Sequence, residues 1–107
     1  MKYEVIIATR KYYDDFKNHL ATLDKDICRI TEGIIEVRSP IFHLTISRNP
    51  YHFRGYRPVD IYADEEIIED DGLKEVLACN LLYAEHIRKL DDYAMRYCFG
   101  IYTERKE

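Results

Sequence analysis

Tyr3-Glu4-Val5-Ile6-Ile7-Ala8-Thr9, running directly into residues 10–23, is the stretch on which the reading of the fold turns. Its first part is a short apolar, β-branched run, the pattern of a buried strand. Its second part spaces Tyr13, Phe16 (or Tyr12), Leu20 and Leu23 at helical intervals with polar residues between, which predicts an amphipathic helix. Asp24-Lys25-Asp26 then breaks that helix. A buried strand joined at once to an amphipathic helix predicts a sheet with a helix packed on it.

Working outward, residues 27–31 and 34–39 flank Glu32-Gly33, a turn pair in which glycine takes positive φ without strain, and read as a hairpin. Pro40 gives no ladder hydrogen bond and so ends a strand or lies at an edge. Residues 41–47 alternate, Phe42, Leu44 and Ile46 against His43, Thr45 and Ser47, which predicts one buried and one wet face. Residues 48–58 form a loop with two prolines and a glycine, and 59–63 form a further short strand. Asp70 or Asp71 is placed to cap the last helix. From Leu73 the apolar positions Val76, Leu77, Leu81, Ala84, Ile87, Leu90, Ala94, Tyr97/Cys98 and Ile101 step by threes and fours, predicting a long last helix that Asp91-Asp92 kinks or restarts and Gly100 ends. Unbroken, it would span some ~40 Å, long enough to project or to pair two copies in a homodimer. The expected class is α+β: a small mixed or antiparallel sheet, ordered β-α-β-β-β-β-α, in one domain over residues 1–107.

Composition bounds the rest. The 107 residues are 47% hydrophobic and 34% charged, which excludes a disordered chain and leaves room for one core. The opening Met1-Lys2-Tyr3-Glu4 lacks the apolar stretch of a signal peptide, and no apolar run approaches the ~20 residues that span a bilayer. A cytoplasmic location without a membrane partner is expected. Cys28, Cys79 and Cys98 have no metal-ligand spacing, and the apolar neighbours of Cys79 and Cys98 suit buried thiols of a reducing compartment. Residues 1–58 hold ten Lys/Arg against seven Asp/Glu, a net of +3, whereas residues 59–107 hold six against thirteen, a net of −7. Such a division reads either as solvated faces or as a two-sided surface for a specific partner. Ten tyrosines and no tryptophan favour half-buried positions and interfaces.

Three groups of residues can carry chemistry. Six acids stand within eight residues: Asp64, Glu65, Glu66, Glu69, Asp70 and Asp71. Asp64 and Glu65, at the carboxyl end of a strand, are the residue types that hold a hydrated Mg²⁺ and orient a water; solvated charge with helix capping explains the same cluster. The segment Arg48-Asn49-Pro50-Tyr51-His52-Phe53-Arg54-Gly55-Tyr56-Arg57 holds three arginines, three aromatics and a histidine but no acid. Arg48, Tyr51, Phe53, Arg54, Tyr56 and Arg57 are therefore the expected partner contacts. Three occupants suit them: a protein hot spot, local pairing with nearby acids, or nucleic acid bound by stacking and phosphate contacts. His19, His43, His52 and His86 are scattered, none beside a plausible Ser or Cys nucleophile, so no catalytic residue is assigned.

Residues 5–16, Val-Ile-Ile-Ala-Thr-Arg-Lys-Tyr-Tyr-Asp-Asp-Phe, resemble the strand and helix that come after the P-loop unit in phage terminase large subunits. Residues 48–65, ending in Ile61-Tyr62-Ala63-Asp64-Glu65, resemble the same family's approach to Walker B, and the likeness spans about residues 3–68. It implies Mg²⁺ held through water by Asp64 and a water activated by Glu65. The chain departs from the family in having no Gly-x-x-x-x-Gly-Lys-Ser/Thr, so nothing cradles β- and γ-phosphates, and in placing Asp60 within the strand. The resulting expectation is a small, non-catalytic, phage-type binding protein that needs no cofactor and docks on a protein partner through the basic-aromatic loop. The alternatives are a Mg²⁺- and nucleotide-binding relative of the ATPase core and a nucleic-acid-binding accessory protein.

Overall fold

A computed structural model describes residues 3–23, 26–38, 40, 42–82 and 84–96. Strand β1 (Tyr3–Ala8) leads to helix α1 (Tyr13–Leu20), and the hairpin β2 (Cys28–Thr31) and β3 (Ile34–Arg38) leads to β4 (Phe42–Ser47). A 3₁₀ turn over Pro50–Phe53 precedes β5 (Asp60–Ala63), helices α2 (Glu65–Glu69) and α3 (Asp71–Ala78), a second 3₁₀ turn over Cys79–Leu82, and β6 (Ile87–Lys89). Residues 92–96 are again helical. The strands form one six-stranded sheet in the order β2-β3-β4-β1-β5-β6. β1 runs parallel to β4 and β5, and β5 parallel to β6, while β3 is antiparallel to β2 and β4. The class is α+β with a mixed sheet.

β1 is central because its apolar residues run on without alternation. Val5 and Ile7 face one side and Ile6 and Ala8 the other, all at most 1% exposed. On the first side α1 buries Tyr13, Phe16 and Leu20 against Val5, Ile7, Leu44 and Ile46. On the second, Phe53, Ile67 and Leu77 cover Ile6, Ala8, Ile61 and Ala63. The hairpin turns at Glu32-Gly33 with Gly33 at φ 77°.

Two expectations are corrected. The wet face of β4 is closed: Thr45 and Ser47 are 1% and 0% exposed. The segment after β4 folds back over that face, with the Tyr56 ring stacked on His43 at 6.4 Å and His52 Nδ1 2.6 Å from Ser47 Oγ. Nor does a continuous helix run from residue 73 through 96. Helix α3 stops at Ala78, and Ile87–Lys89 pairs in parallel with Ile61–Ala63. The reason lies in β5, whose Ile61, Tyr62 and Ala63 are buried; a helix in place of β6 would leave their edge N–H and C=O groups without partners. Helical order resumes where the Asp91 carboxylate accepts the Ala94 N–H at 2.9 Å, a cap that restarts the chain. Tyr97, Cys98, Gly100, Ile101 and the tail lie outside the described residues. The dimer expected of one long projecting helix loses that helix over the part described.

Candidate functional site

The parallel strands β4, β1, β5 and β6 all point their carboxyl ends to the same edge of the sheet. The chain passes from β1 to β4 on one side and then returns to β5 on the other, so order reverses at the β1–β5 boundary. In open α/β sheets that reversal leaves a crevice beyond the strand ends. Here it is a cleft of about 570 Å³, lined by Arg10, Lys11, Tyr12, Asp64, Glu65, Glu66, Lys89 and Leu90.

Asp64 organises this cleft. Its side chain is 2% exposed, and its carboxylate reaches across to the loop after β1. Oδ1 accepts the Thr9 hydroxyl at 2.6 Å; Oδ2 accepts the backbone N–H of Arg10 at 2.6 Å and of Lys11 at 3.0 Å. Thr9 Oγ1 in turn accepts the Tyr12 N–H at 2.9 Å. The donors ahead of α1 are thus satisfied from outside the helix, since Tyr12 offers no side-chain cap. The Asp64 backbone adds its N–H to the Ala8 carbonyl at 3.1 Å and accepts from Ile67 and Ile68. One residue therefore joins β1, the start of α1 and the start of α2.

Of the other acids in the cluster, Glu65 meets Lys89 Nζ at 3.3 Å and Asp70 caps α3 by accepting the Leu73 N–H at 3.1 Å. No group of three or more metal-ligating side chains occurs among the described residues. Among those residues the Arg10 guanidinium carries no ion pair, and Lys11 Nζ lies 5.1 Å from the Tyr12 ring centroid. A hydrogen bond with Tyr12 raises the Lys11 ammonium above its ordinary pKa.

The six expected contact residues do not form one patch. Phe53 is 0% exposed and sits in the second core, so a partner cannot reach it while the fold is intact. Tyr56 is half-buried, its ring edge-on to Phe53 at 5.6 Å. Burial raises its phenol pKa, and the nearby Glu36 carboxylate adds to the rise. Arg48 pairs with Asp14 at 3.0 Å and lies over the Tyr13 ring at 4.3 Å, so at this position the local neutralisation of a nearby acid holds. Burial raises the Tyr13 phenol too, and Arg48 partly opposes it.

Arg57 lies at the other end of the sheet: its N–H donates to Glu4 Oε1 at 2.8 Å, whereas Arg48 comes directly after Ser47, which pairs with Ala8. At about 3.3 Å per residue, the four steps from Glu4 to Ala8 put roughly 13 Å between those two points. The residues still together at the surface are Tyr51, 49% exposed, and Arg54, whose guanidinium lies 5.5 Å from the Tyr51 ring centroid. The Pro50–Phe53 turn holds the pair in place. The Asn49 side chain caps it by accepting the Tyr51 N–H, and Phe53 anchors it in the core.

Sequence reading missed the polar layer beneath Tyr56. His43 Nδ1 lies 3.3 Å from Glu4 Oε2, its Nε2 lies 3.2 Å from Thr45 Oγ1, and Glu36 Oε2 is 3.8 Å away. These residues come from three different strands, so no local spacing announces them. Cys79 is exposed at the end of α3, contrary to the buried thiol expected there, while Cys28 is buried and its thiol raised by that burial.

The fold and these surfaces define an α+β domain built on a six-stranded mixed sheet, with a cleft at the carboxyl ends of its parallel strands. Compared with protein-family models, curated proteins and solved structures, the chain finds no match. No helix among the described residues is long and apolar enough to cross a membrane.

Proposed function

We propose that this chain is a non-catalytic binding domain that docks on a protein partner through the surface around Tyr51 and Arg54. The observation that carries the reading is the exposed Tyr51–Arg54 pair, held on a capped turn whose Phe53 is fixed in the core. Tyrosine and arginine are the residue types that dominate interface energetics, and a contact already ordered in the free protein loses less entropy on binding. The test is capture of partners from a lysate by the immobilised protein, run beside the double variant Tyr51→Ala, Arg54→Glu. Both residues are exposed, so the variant is expected to fold with stability within about 0.5 kcal/mol of the parent. Specific partners are expected to be lost at least tenfold. An unchanged set of captured proteins would refute the site.

A second reading, a Mg²⁺- and nucleotide-binding relative of an ATPase core, draws support from the cleft and its cations Arg10, Lys11 and Lys89. Against it stands the engagement of Asp64: both carboxylate oxygens accept hydrogen bonds from the loop that would have to face a phosphate. Three of the roughly four acceptor sites of that carboxylate are thereby taken, which leaves little of it for a metal-bound water. The expected result is no change in melting temperature with Mg²⁺ and a panel of nucleotides. A ligand at ~100 times its Kd would add about 2.7 kcal/mol, so a clear upward shift would restore the second reading. Binding of nucleic acid has less to stand on, since Arg48 of the loop already holds Asp14.

A further inference from the structure

The cleft of about 570 Å³ at the carboxyl ends of the parallel strands is lined by charges of both signs. Arg10 and Lys11 enter it from the loop after β1, Glu65 and Glu66 from the first turn of α2, and Lys89 from the end of β6. Part of that charge is already spent within the chain. Asp64 gives both carboxylate oxygens to the donors of Thr9, Arg10 and Lys11, and Glu65 meets Lys89. Arg10, Lys11 and Glu66 are exposed, and none of them holds an ion pair among the described residues. Two cations from one element and one carboxylate from another are therefore free for a ligand. Tyr12 and Leu90 line the same cleft and give it some apolar surface.

We infer that this cleft binds a small zwitterion of the free amino acid kind, its carboxylate on Arg10 and Lys11 and its ammonium on Glu66. The inference goes beyond the docking reading and uses none of its residues. A carboxylate matches the guanidinium fork of Arg10 with two parallel hydrogen bonds, and the cleft volume is that of a small-molecule site. Charge balance supplies the selection. A polyanion such as a nucleotide would set surplus negative charge against Glu66 and Asp64, and a diamine would set surplus positive charge against Arg10 and Lys11. The groups that do the binding are solvated, so the affinity belongs in the millimolar range.

Titration of the isotopically labelled full chain with the free protein amino acids, followed by backbone amide NMR, tests this. At least one amino acid should give saturable shifts centred on Arg10, Lys11 and Glu66. Its N-acetyl derivative, which lacks the ammonium, and its amide, which lacks the carboxylate, should each bind about tenfold more weakly. Arg10→Gln should weaken the amino acid by a similar factor. Glu66→Gln should weaken the amino acid but not the N-acetyl derivative, and Glu66→Lys should turn the preference toward succinate. That inversion is a readout a structural role for Glu66 would not produce. The double variant Tyr51→Ala, Arg54→Glu should bind the amino acid as the parent does, which keeps this result separate from partner docking. No saturable shift with any amino acid would overturn the inference. Equal binding of the N-acetyl derivative or of inorganic phosphate would overturn it too, by reducing the cleft to a general anion site.

Discussion

Asp64→Ala is expected to lower the stability of the domain by roughly 3 kcal/mol or more, the sum of charge-assisted hydrogen bonds lost and of buried donors left without partners. The Thr9 hydroxyl is fully buried, and the Arg10 and Lys11 N–H groups point into the space that the carboxylate fills. For a domain near this size such a loss lowers the melting temperature by about 12–24 °C. Asp64→Asn should cost less. One amide oxygen still accepts the two backbone donors, but the amide NH₂ faces the Thr9 hydroxyl, which must find another acceptor. Urea unfolding of the parent and both variants measures the difference. Equal stability of parent and Asp64→Ala would mean that water replaces the carboxylate and that the residue is not a structural tie. The result bears on function as well. An acid at the end of a strand resembles a metal ligand in sequence, but its oxygens here are held by the chain itself.

The second large effect concerns Phe53. Phe53→Ala is expected to cost about 3–5 kcal/mol, the range for removing a fully buried aromatic side chain and leaving a cavity. The cavity opens against Ile6, Ile61, Ile67 and Leu77, and Tyr56 loses the ring it packs on. Tyr51→Ala, two residues away and on the outside, should change stability by less than about 0.5 kcal/mol. The two variants thus separate anchor from contact: Phe53→Ala should unfold at lower urea, whereas Tyr51→Ala should keep the fold and lose binding. Comparable stability of both would show that the turn does not depend on its core anchor.

Much of the fold is legible along the chain because it rests on local patterns. The uninterrupted apolar run from Val5 to Ala8 announces a strand buried on both sides, and the helical spacing of Tyr13, Phe16 and Leu20 matches the buried face of α1. The hairpin is announced by Glu32-Gly33, and the Asp70 cap by its place before an apolar run. The misreadings share one cause. Ile87 and Leu90 fit a helical step as well as a short strand, and the feature that decides between them is the exposed edge of β5, 26 residues earlier at Ile61. Thr45 and Ser47 alternate as a wet face would, yet they are closed over by residues that local spacing assigns only to a loop.

The candidate site is legible only by residue type. Composition singles out Arg48, Tyr51, Phe53, Arg54, Tyr56 and Arg57 alike; that Phe53 points inward while Tyr51 and Arg54 stay at the surface is a matter of which face of the turn meets the core. By itself, then, the order of residues determined the strand and helix periods, the turn glycine and the division of charge, since each depends on neighbours within a few positions. Only the tertiary structure decided that Asp64 belongs to Thr9, that β6 belongs to β5, and which loop residues face water. The reason is that a buried polar group or an unpaired strand edge takes its partner from whatever packing brings near, however far away it lies in the chain.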